Sequence, residues 1–240
     1  MTLAITTALH RTTVKRLLET LREAGFVRRL PDDSYGLTVR VRNLSEGFTD
    51  EACISQIAAP LLRRLTEEVL WPSDLVTLEG DELVVRESTH AFSRLSFHPG
   101  MLGQRLPFLL TAIGRAYLAF CIPEERDALI EMLRQRGDAD GQRSLDARQV
   151  RQLLGGTRAR GYAINEGEWI GGGRFGAIAV PVLFEGYAIA CINLIFSKRA
   201  ISTGEAAKRY LNALSATAQE IGRQFAAVQS TLRAVKVGPK

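Results

Sequence analysis

His10, Arg11, Thr12, Thr13, Lys15 and Arg16 crowd imidazole, guanidinium, hydroxyl and ammonium groups into two successive turns of one short segment, closed by Gly25 and Phe26. These are the groups that grip phosphate oxygens and reach base edges in a DNA groove. Val14, Leu17, Leu18 and Leu21 recur at i, i+3, i+4 and i+7, so the segment is an amphipathic helix whose apolar stripe faces a core while the cations stay in water. Residues 1–45 hold eight basic side chains against four acidic ones, a net +4 out of the formal +5 of the 240-residue chain. The remainder is nearly neutral, which concentrates the basic character where a polyanion is held. Phosphate contacts of this kind give salt-sensitive, sequence-blind affinity, and discrimination falls to the few side chains that reach bases.

The elements around this helix set its use. Gly25 is a natural helix stop, and Phe26–Arg29 begins an extended segment. Pro31-Asp32-Asp33-Ser34 has turn chemistry, after which Tyr35, Leu37, Val39 and Val41 alternate with Gly36, Thr38 and Arg40 at the two-residue period of a half-buried strand. Helix, strand, turn, strand is the back half of a winged helix-turn-helix, with Arg28, Arg29, Arg40 and Arg42 near the wing. Arg40 therefore joins the helix residues as an expected DNA contact. The plainer alternative is a small amphipathic helix beside a hairpin, its charges merely solvated.

Length and composition allow a second, larger domain with a substantial core. No run approaches the roughly 20 apolar residues of a membrane span, and the N-terminus lacks a secretory apolar core, so a cytoplasmic location without membrane contact is expected. Cys53, Cys121 and Cys191 lie far apart and read as reduced core thiols; His10, His90 and His98 have no ligand spacing, so no metal site is expected. There is no nucleophile elbow, P-loop or H-E-x-x-H, and the carboxylates, Glu166, Glu168, Glu124 and Glu125 among them, read as solvated surface. No catalytic residue, no cofactor and no enzymatic activity are expected. Gly171–Gly176 matches G-x-G-x-x-G, but the following Ala177–Val182 reads as a strand, whereas dinucleotide binding needs a helix there.

Leu44–Glu51 marks a change of domain. Ile54, Ile57, Leu61, Leu62, Leu65 and Val69 keep helical spacing through Pro60, which kinks the helix or opens a second one. Residues 1–45 are then a DNA-binding domain, 46–60 a linker helix and 61–240 a second domain. Leu75–Leu78, Glu82–Glu87, Leu95–His98, Ala177–Val182 and Tyr187–Phe196 read as strands. Helices are expected from Pro107 toward Phe120, over 123–136 and 146–160 with a polar loop at Gly137–Gly141 between them, and from a capping box at Ser202–Glu205. Strands before and after a helical middle give an α+β architecture.

With these residues in view, the chain resembles the isocitrate lyase regulator (IclR) family of transcription regulators, which join a winged helix-turn-helix to a larger effector-binding domain. The resemblance rests on Leu9–Leu18 and Gly25-Phe26-Val27, then on Gly103–Pro107, Thr111–Ala119, Arg160-Gly161-Tyr162 and Ile178–Val182. It implies a GAF-like effector domain with a curved antiparallel sheet flanked by helices. The family's winged domain opens with a helix ahead of Leu3–Leu9, and this sequence starts at the second helix. Leu44–Glu51 and Leu70–Asp74 are similar to an activator of hydroxyphenylpropionate degradation, which implies a small aromatic carboxylic acid as effector.

Carried over by position, Ile113, Gly114, Asn165, Ala177 and Asn193 would line the pocket. The last three depart from the acid, cysteine or serine common there in the family. An aromatic ring needs an apolar cleft, for which Trp169, Phe175 and Phe108 are available, with Trp169 the added candidate. Its carboxylate needs donors, which Arg105, Arg174 or the amides near Pro107 can supply. The expected partners are double-stranded DNA, the aromatic acid and copies of the same chain in a homodimer or homotetramer. The alternative is an effector-binding and oligomerisation module that has lost DNA binding with the shortened N-terminus.

Overall fold

The computed structural model describes residues 2–38, 50–96, 101–169 and 172–236. The chain divides into two compact units, Met1–Ala52 and Cys53–Lys240.

The first unit contains α1 (Thr2–Thr6), α2 (Arg11–Glu23), β1 (Val27–Arg29) and β2 (Tyr35–Leu37). α2 ends where Gly25 takes a φ of 77°, a left-handed conformation that a residue without Cβ adopts at no steric cost. β1 and β2 form an antiparallel hairpin with Val27 opposite Leu37. At its turn the Asp32 carboxylate accepts from the backbone N–H and hydroxyl of Ser34. Tyr35 ties the hairpin to α2 by donating its hydroxyl to Glu19 at 2.8 Å. The expected strand continuation at Val39 and Val41, with Arg40 and Arg42, lies outside the described residues.

From Cys53 onward the second unit holds all but the first turn of α3 (Asp50–Val69), which runs through Pro60 as one element and buries Ile54, Ala58, Leu61, Leu62 and Leu65. Of the two outcomes expected at Pro60, the start of a second helix is not what forms. Six strands follow in one sheet: β3 (Asp74–Glu79), β4 (Glu82–Ser88), β5 (Arg105–Leu106), β6 (Ala163–Asn165), β7 (Phe175–Phe184) and β8 (Tyr187–Ser197). Their spatial order is β5-β4-β3-β8-β7-β6, with every neighbouring pair antiparallel. Register shifts between Leu75 and Val76 and between Val182 and Leu183 are the irregularities that bend such a sheet. The helices are α4 (Ala112–Phe120), α5 (Pro123–Arg134), α6 (Ala139–Ser144), α7 (Ala147–Arg160) and α8 (Thr203–Lys236).

Alternation along β7 and β8 separates two cores. Ile178, Val180, Ile192, Leu194 and Phe196 join residues of α3 and α8 in one. Ala179 and Cys191 face the other way and join α4, α5 and α7. The result is an α+β layer structure in which a bent antiparallel sheet has helices on both faces.

Three expectations are corrected. Leu95 and Ser96 lie in turns rather than a strand, and Phe97 and His98 lie outside the described residues. The helix expected from Pro107 starts at Ala112, because Thr111 is its N-cap. The polar stretch between α5 and α7 is not a plain loop: it holds α6, whose Asp140 is buried. Phe175 and Gly176 open β7, so the glycine-rich stretch runs into a strand. Cys53, Cys121 and Cys191 are buried free thiols. Among the described residues no helix is long and apolar enough to cross a membrane.

Candidate functional site

A cavity of about 630 Å³, mouth included, lies between the start of α4 and the sheet face that carries Ala177, Asn193 and Ile195. Ala177 leaves the room, since a larger side chain there would fill it, whereas Gly176 serves the other face of β7, where a Cβ would stand 2.6 Å from Phe196 Cε2. The lining is mostly apolar, with Leu106, Leu110, Ile113, Trp169, Phe175 and Ile195. Asp74, His90, Thr111, Asn165 and Asn193 interrupt it with polar groups.

Of the six effector contacts expected from the sequence, Ile113, Asn165, Trp169, Ala177 and Asn193 meet in this one cavity. Gly114 does not line it. A Cβ at Gly114 would stand 2.4 Å from the Phe108 carbonyl oxygen and 2.6 Å from that of Pro107, so this glycine lets α4 approach the preceding loop. Phe108 is buried in the core rather than in the lining. Arg105 and Arg174 also lie outside the lining. Arg105 is largely exposed and pairs with Glu82 at 2.8 Å, while the Arg174 guanidinium sits 5.9 Å from the Phe175 ring centroid.

Long-range polar contacts hold the walls in place. Thr111 accepts from the backbone N–H of Gly114 at 3.0 Å and donates its hydroxyl to the Pro107 carbonyl at 2.7 Å. Asp140 accepts from the backbone N–H groups of Phe108 and Leu109, both at 2.7 Å. Burial pushes its carboxyl above the usual aspartate range, and those two hydrogen bonds counter part of that rise.

Arg115, buried in α4, donates to the carbonyls of Leu109 and Ile164 and to the Glu168 carboxylate, thereby tying the stretch before Thr111 to the one that holds Asn165 and Trp169. Burial would raise the Glu168 carboxyl. The Arg115 partner and the backbone N–H of Glu166 outweigh that and hold it below the ordinary range. Glu168, read from the sequence as solvated surface, is thus a structural partner.

The polar groups of the lining are of two kinds. Asn165 is spent on the backbone, donating to the Leu110 carbonyl and accepting from Gly167 N–H at 2.8 Å. Asn193 accepts from the Asp74 backbone N–H at 2.7 Å and places its amide nitrogen 3.4 Å from Asp74 Oδ2. Asp74 is fully buried, and its Oδ1 has no hydrogen-bond partner among the described residues. His90, 5% exposed, has Nδ1 2.7 Å from the Ser96 hydroxyl. Its Nε2 stands 3.8 Å from Asp74 Oδ2, beyond hydrogen-bond reach, and is likewise unpartnered among the described residues. A buried polar atom left this way costs about 1–3 kcal/mol, and both of these belong to residues that line the cavity. Sequence reading missed both residues; the available signal was an aspartate at the head of the strand-like run Leu75-Val76-Thr77-Leu78.

In the first unit, His10, Arg11, Thr12, Thr13, Lys15 and Arg16 are all exposed on the first turns of α2. His10 Nδ1 is 2.7 Å from the Thr12 hydroxyl. Arg11, Lys15 and Arg16 make no salt bridge among the described residues, whereas Arg22 pairs with Glu19 and Arg29 with Asp33.

Residues 47–223 match the family model described as the bacterial transcriptional regulator IclR C-terminal domain. The chain belongs to the IclR family of transcriptional regulators. It is 26% identical over 229 residues to the Pca regulon regulatory protein of Pseudomonas putida, covering 91% of this chain and 74% of that protein. The fold is similar to that of the IclR protein of Thermotoga maritima, with a TM-score of 0.62 at 22% identity over 93% of this chain and 89% of the other. It is also similar to an IclR homologue from Microbacterium hydrocarbonoxydans in complex with 4-hydroxybenzoate, with a TM-score of 0.59 at 21% identity over 93% and 89%.

Proposed function

We propose that this chain is a cytoplasmic, DNA-binding transcription activator whose effector is a small aromatic carboxylic acid of the hydroxyphenylpropionate type. In this reading residues 1–45 are a winged helix-turn-helix with α2 as the recognition helix, and Arg40, outside the described residues, serves the wing. His10, Arg11, Thr12, Thr13, Lys15 and Arg16 contact the duplex. The effector occupies the cavity lined by Ile113, Asn165, Trp169, Ala177 and Asn193. Its ring packs among Leu110, Ile113, Trp169 and Phe175, and its carboxylate lies toward Thr111 and the positive N-terminal end of α4. Copies of the chain pair to read repeated half-sites, and the acid acts by favouring one arrangement of the DNA-binding domains.

The observation that carries the reading is the cavity itself, in which five residues named for effector contact meet although they come from four separated segments. The 4-hydroxybenzoate complex of the Microbacterium homologue and the Pca regulon assignment of the Pseudomonas relative support an aromatic acid as its occupant.

The test is selection of duplexes from a randomised pool, followed by gel-shift titration at several salt concentrations with and without 3-(3-hydroxyphenyl)propionate. A specific duplex is expected to emerge, with an affinity that the acid changes. Arg11→Ala and Arg16→Ala should each weaken binding and lower the salt slope by about one. Failure to enrich any duplex ends the DNA-binding reading, and an affinity indifferent to the acid ends the effector reading.

A further inference from the structure

We propose that Asp74 and His90 form a hydroxyl-reading subsite at the sheet end of the cavity, so that the effector must present a hydroxyl group there. This deepens the aromatic-acid reading and rests on it for the rest of the ligand. Asp74 Oδ1 accepts but has nothing to accept from among the described residues, and His90 Nε2 is unpartnered beside it. Both side chains are more than nine-tenths buried and both line the cavity.

Their neighbours fix what they ask for. Asn193 holds Asp74 at its backbone N–H and lies against Oδ2, leaving Oδ1 as the acceptor for an incoming group. Ser96 sits 2.7 Å from His90 Nδ1. The Asp74 carboxylate 3.8 Å from Nε2 favours the imidazole proton on that nitrogen, so that the Ser96 hydroxyl donates to Nδ1 and Nε2 is a donor. The subsite therefore offers one acceptor and one donor from two side chains whose Nε2 and Oδ2 are 3.8 Å apart.

A hydroxyl satisfies both through a single oxygen, donating to Asp74 Oδ1 and accepting from His90 Nε2. An ammonium group serves Asp74 but has no lone pair for His90. A carboxylate has no proton for Asp74. The acid group of the ligand accordingly points away, toward Thr111, and the hydroxylated edge of the ring points to the sheet. A site built to pair with a hydroxyl rejects the analogue lacking it far more strongly than an apolar pocket rejects a missing methylene, because its own polar atoms are then left bare.

The experiment is calorimetry on the full chain with two matched pairs, 3-(3-hydroxyphenyl)propionate against 3-phenylpropionate, and phenol against toluene. The hydroxylated member is expected to bind at least about tenfold tighter in each pair. In H90F and D74L that ratio should fall toward one, the hydroxylated member losing affinity relative to 3-phenylpropionate. The wild-type ratios need no variant, so a variant that fails to fold does not shelter the idea. If neither acid binds but phenol is preferred over toluene, the aromatic-acid reading fails and the subsite stands. Equal affinity within the pairs, a preference that survives in both variants, or no binding of any of the four compounds overturns the subsite.

Discussion

α2 and α8 carry the same kind of apolar stripe and come to opposite ends. In α8, Leu214, Ala218, Ile221 and Phe225 are all 3% exposed or less and close one of the two cores against the sheet. In α2 no residue is buried; Leu17 remains 51% exposed and Leu21 42%. Hydrophobic spacing determines which face of a helix seeks cover, and the surrounding chain determines whether the cover is there. Residues 53–240 supply it through a six-stranded sheet, whereas within residues 2–38 Val27 is the one apolar side chain that counts as buried. The polar ties follow the same division. Arg115 is locked inside the second unit, with a side chain 3% exposed, while the Arg29–Asp33 pair of the first unit stands in solvent.

The largest expected effect comes from that buried arginine. Arg115→Ala strands the carbonyls of Leu109 and Ile164 and frees Glu168, so it should cost about 3–5 kcal/mol in urea unfolding. A loss below about 1 kcal/mol would mean that the loops it ties are held by something else. Next comes the stripe of α8. Leu214 is fully buried, and Leu214→Ala should cost about 2–5 kcal/mol by the same measurement, depending on how far the core closes around the gap. A cost under 1 kcal/mol would remove the contrast between the two helices.

These costs also explain what the sequence could and could not show. Strands β7 and β8 and the face of α8 were readable because their signals are local: alternation of apolar residues, the Glu185-Gly186 turn and a helical repeat. The start of α4 was misplaced because Pro107 suits a first helical turn. Instead, Phe108 and Leu109 give their N–H groups to Asp140, more than thirty residues away, and Thr111 opens the helix. The same limit applies to the cavity. Ile113, Asn165, Ala177 and Asn193 came from resemblance by position and Trp169 from the needs of a ring. Asp74 depends on Asn193 across a separation of 119 residues, and no local pattern announces such a contact.

A smaller effect is set by pH. Glu168 is held below the ordinary glutamate value near 4.5 because its pairing with Arg115 outweighs its burial. A carboxyl with a depressed folded value contributes stability above the unfolded value and loses it as pH falls through the folded one. Glu168→Gln should therefore destabilise the protein at pH 7, and the gap to wild type should close on acidification below about 4.5. The side chain is 28% exposed, so the gap should be smaller than that of Arg115→Ala. A gap that stays constant down to strongly acid pH would show that packing, and not charge, is what Glu168 contributes.

The smallest expected change is the most informative about α2. Leu17 is half exposed, so Leu17→Ala gives up little buried area and should shift unfolding of the first unit by no more than about 0.5–1 kcal/mol. The measurement has to be local, by hydrogen exchange of the α2 amides, because the larger unit dominates any global signal. A cost approaching that of Leu214→Ala would show that the stripe is covered in solution. Repeating the exchange over a range of protein concentrations then identifies the cover: protection that rises with concentration comes from another copy of the chain, and protection that does not comes from within it. A small cost at every concentration leaves the leading turns of α2, with Arg11, Lys15 and Arg16, on a helix held chiefly by its contacts with the hairpin, including the Glu19–Tyr35 hydrogen bond.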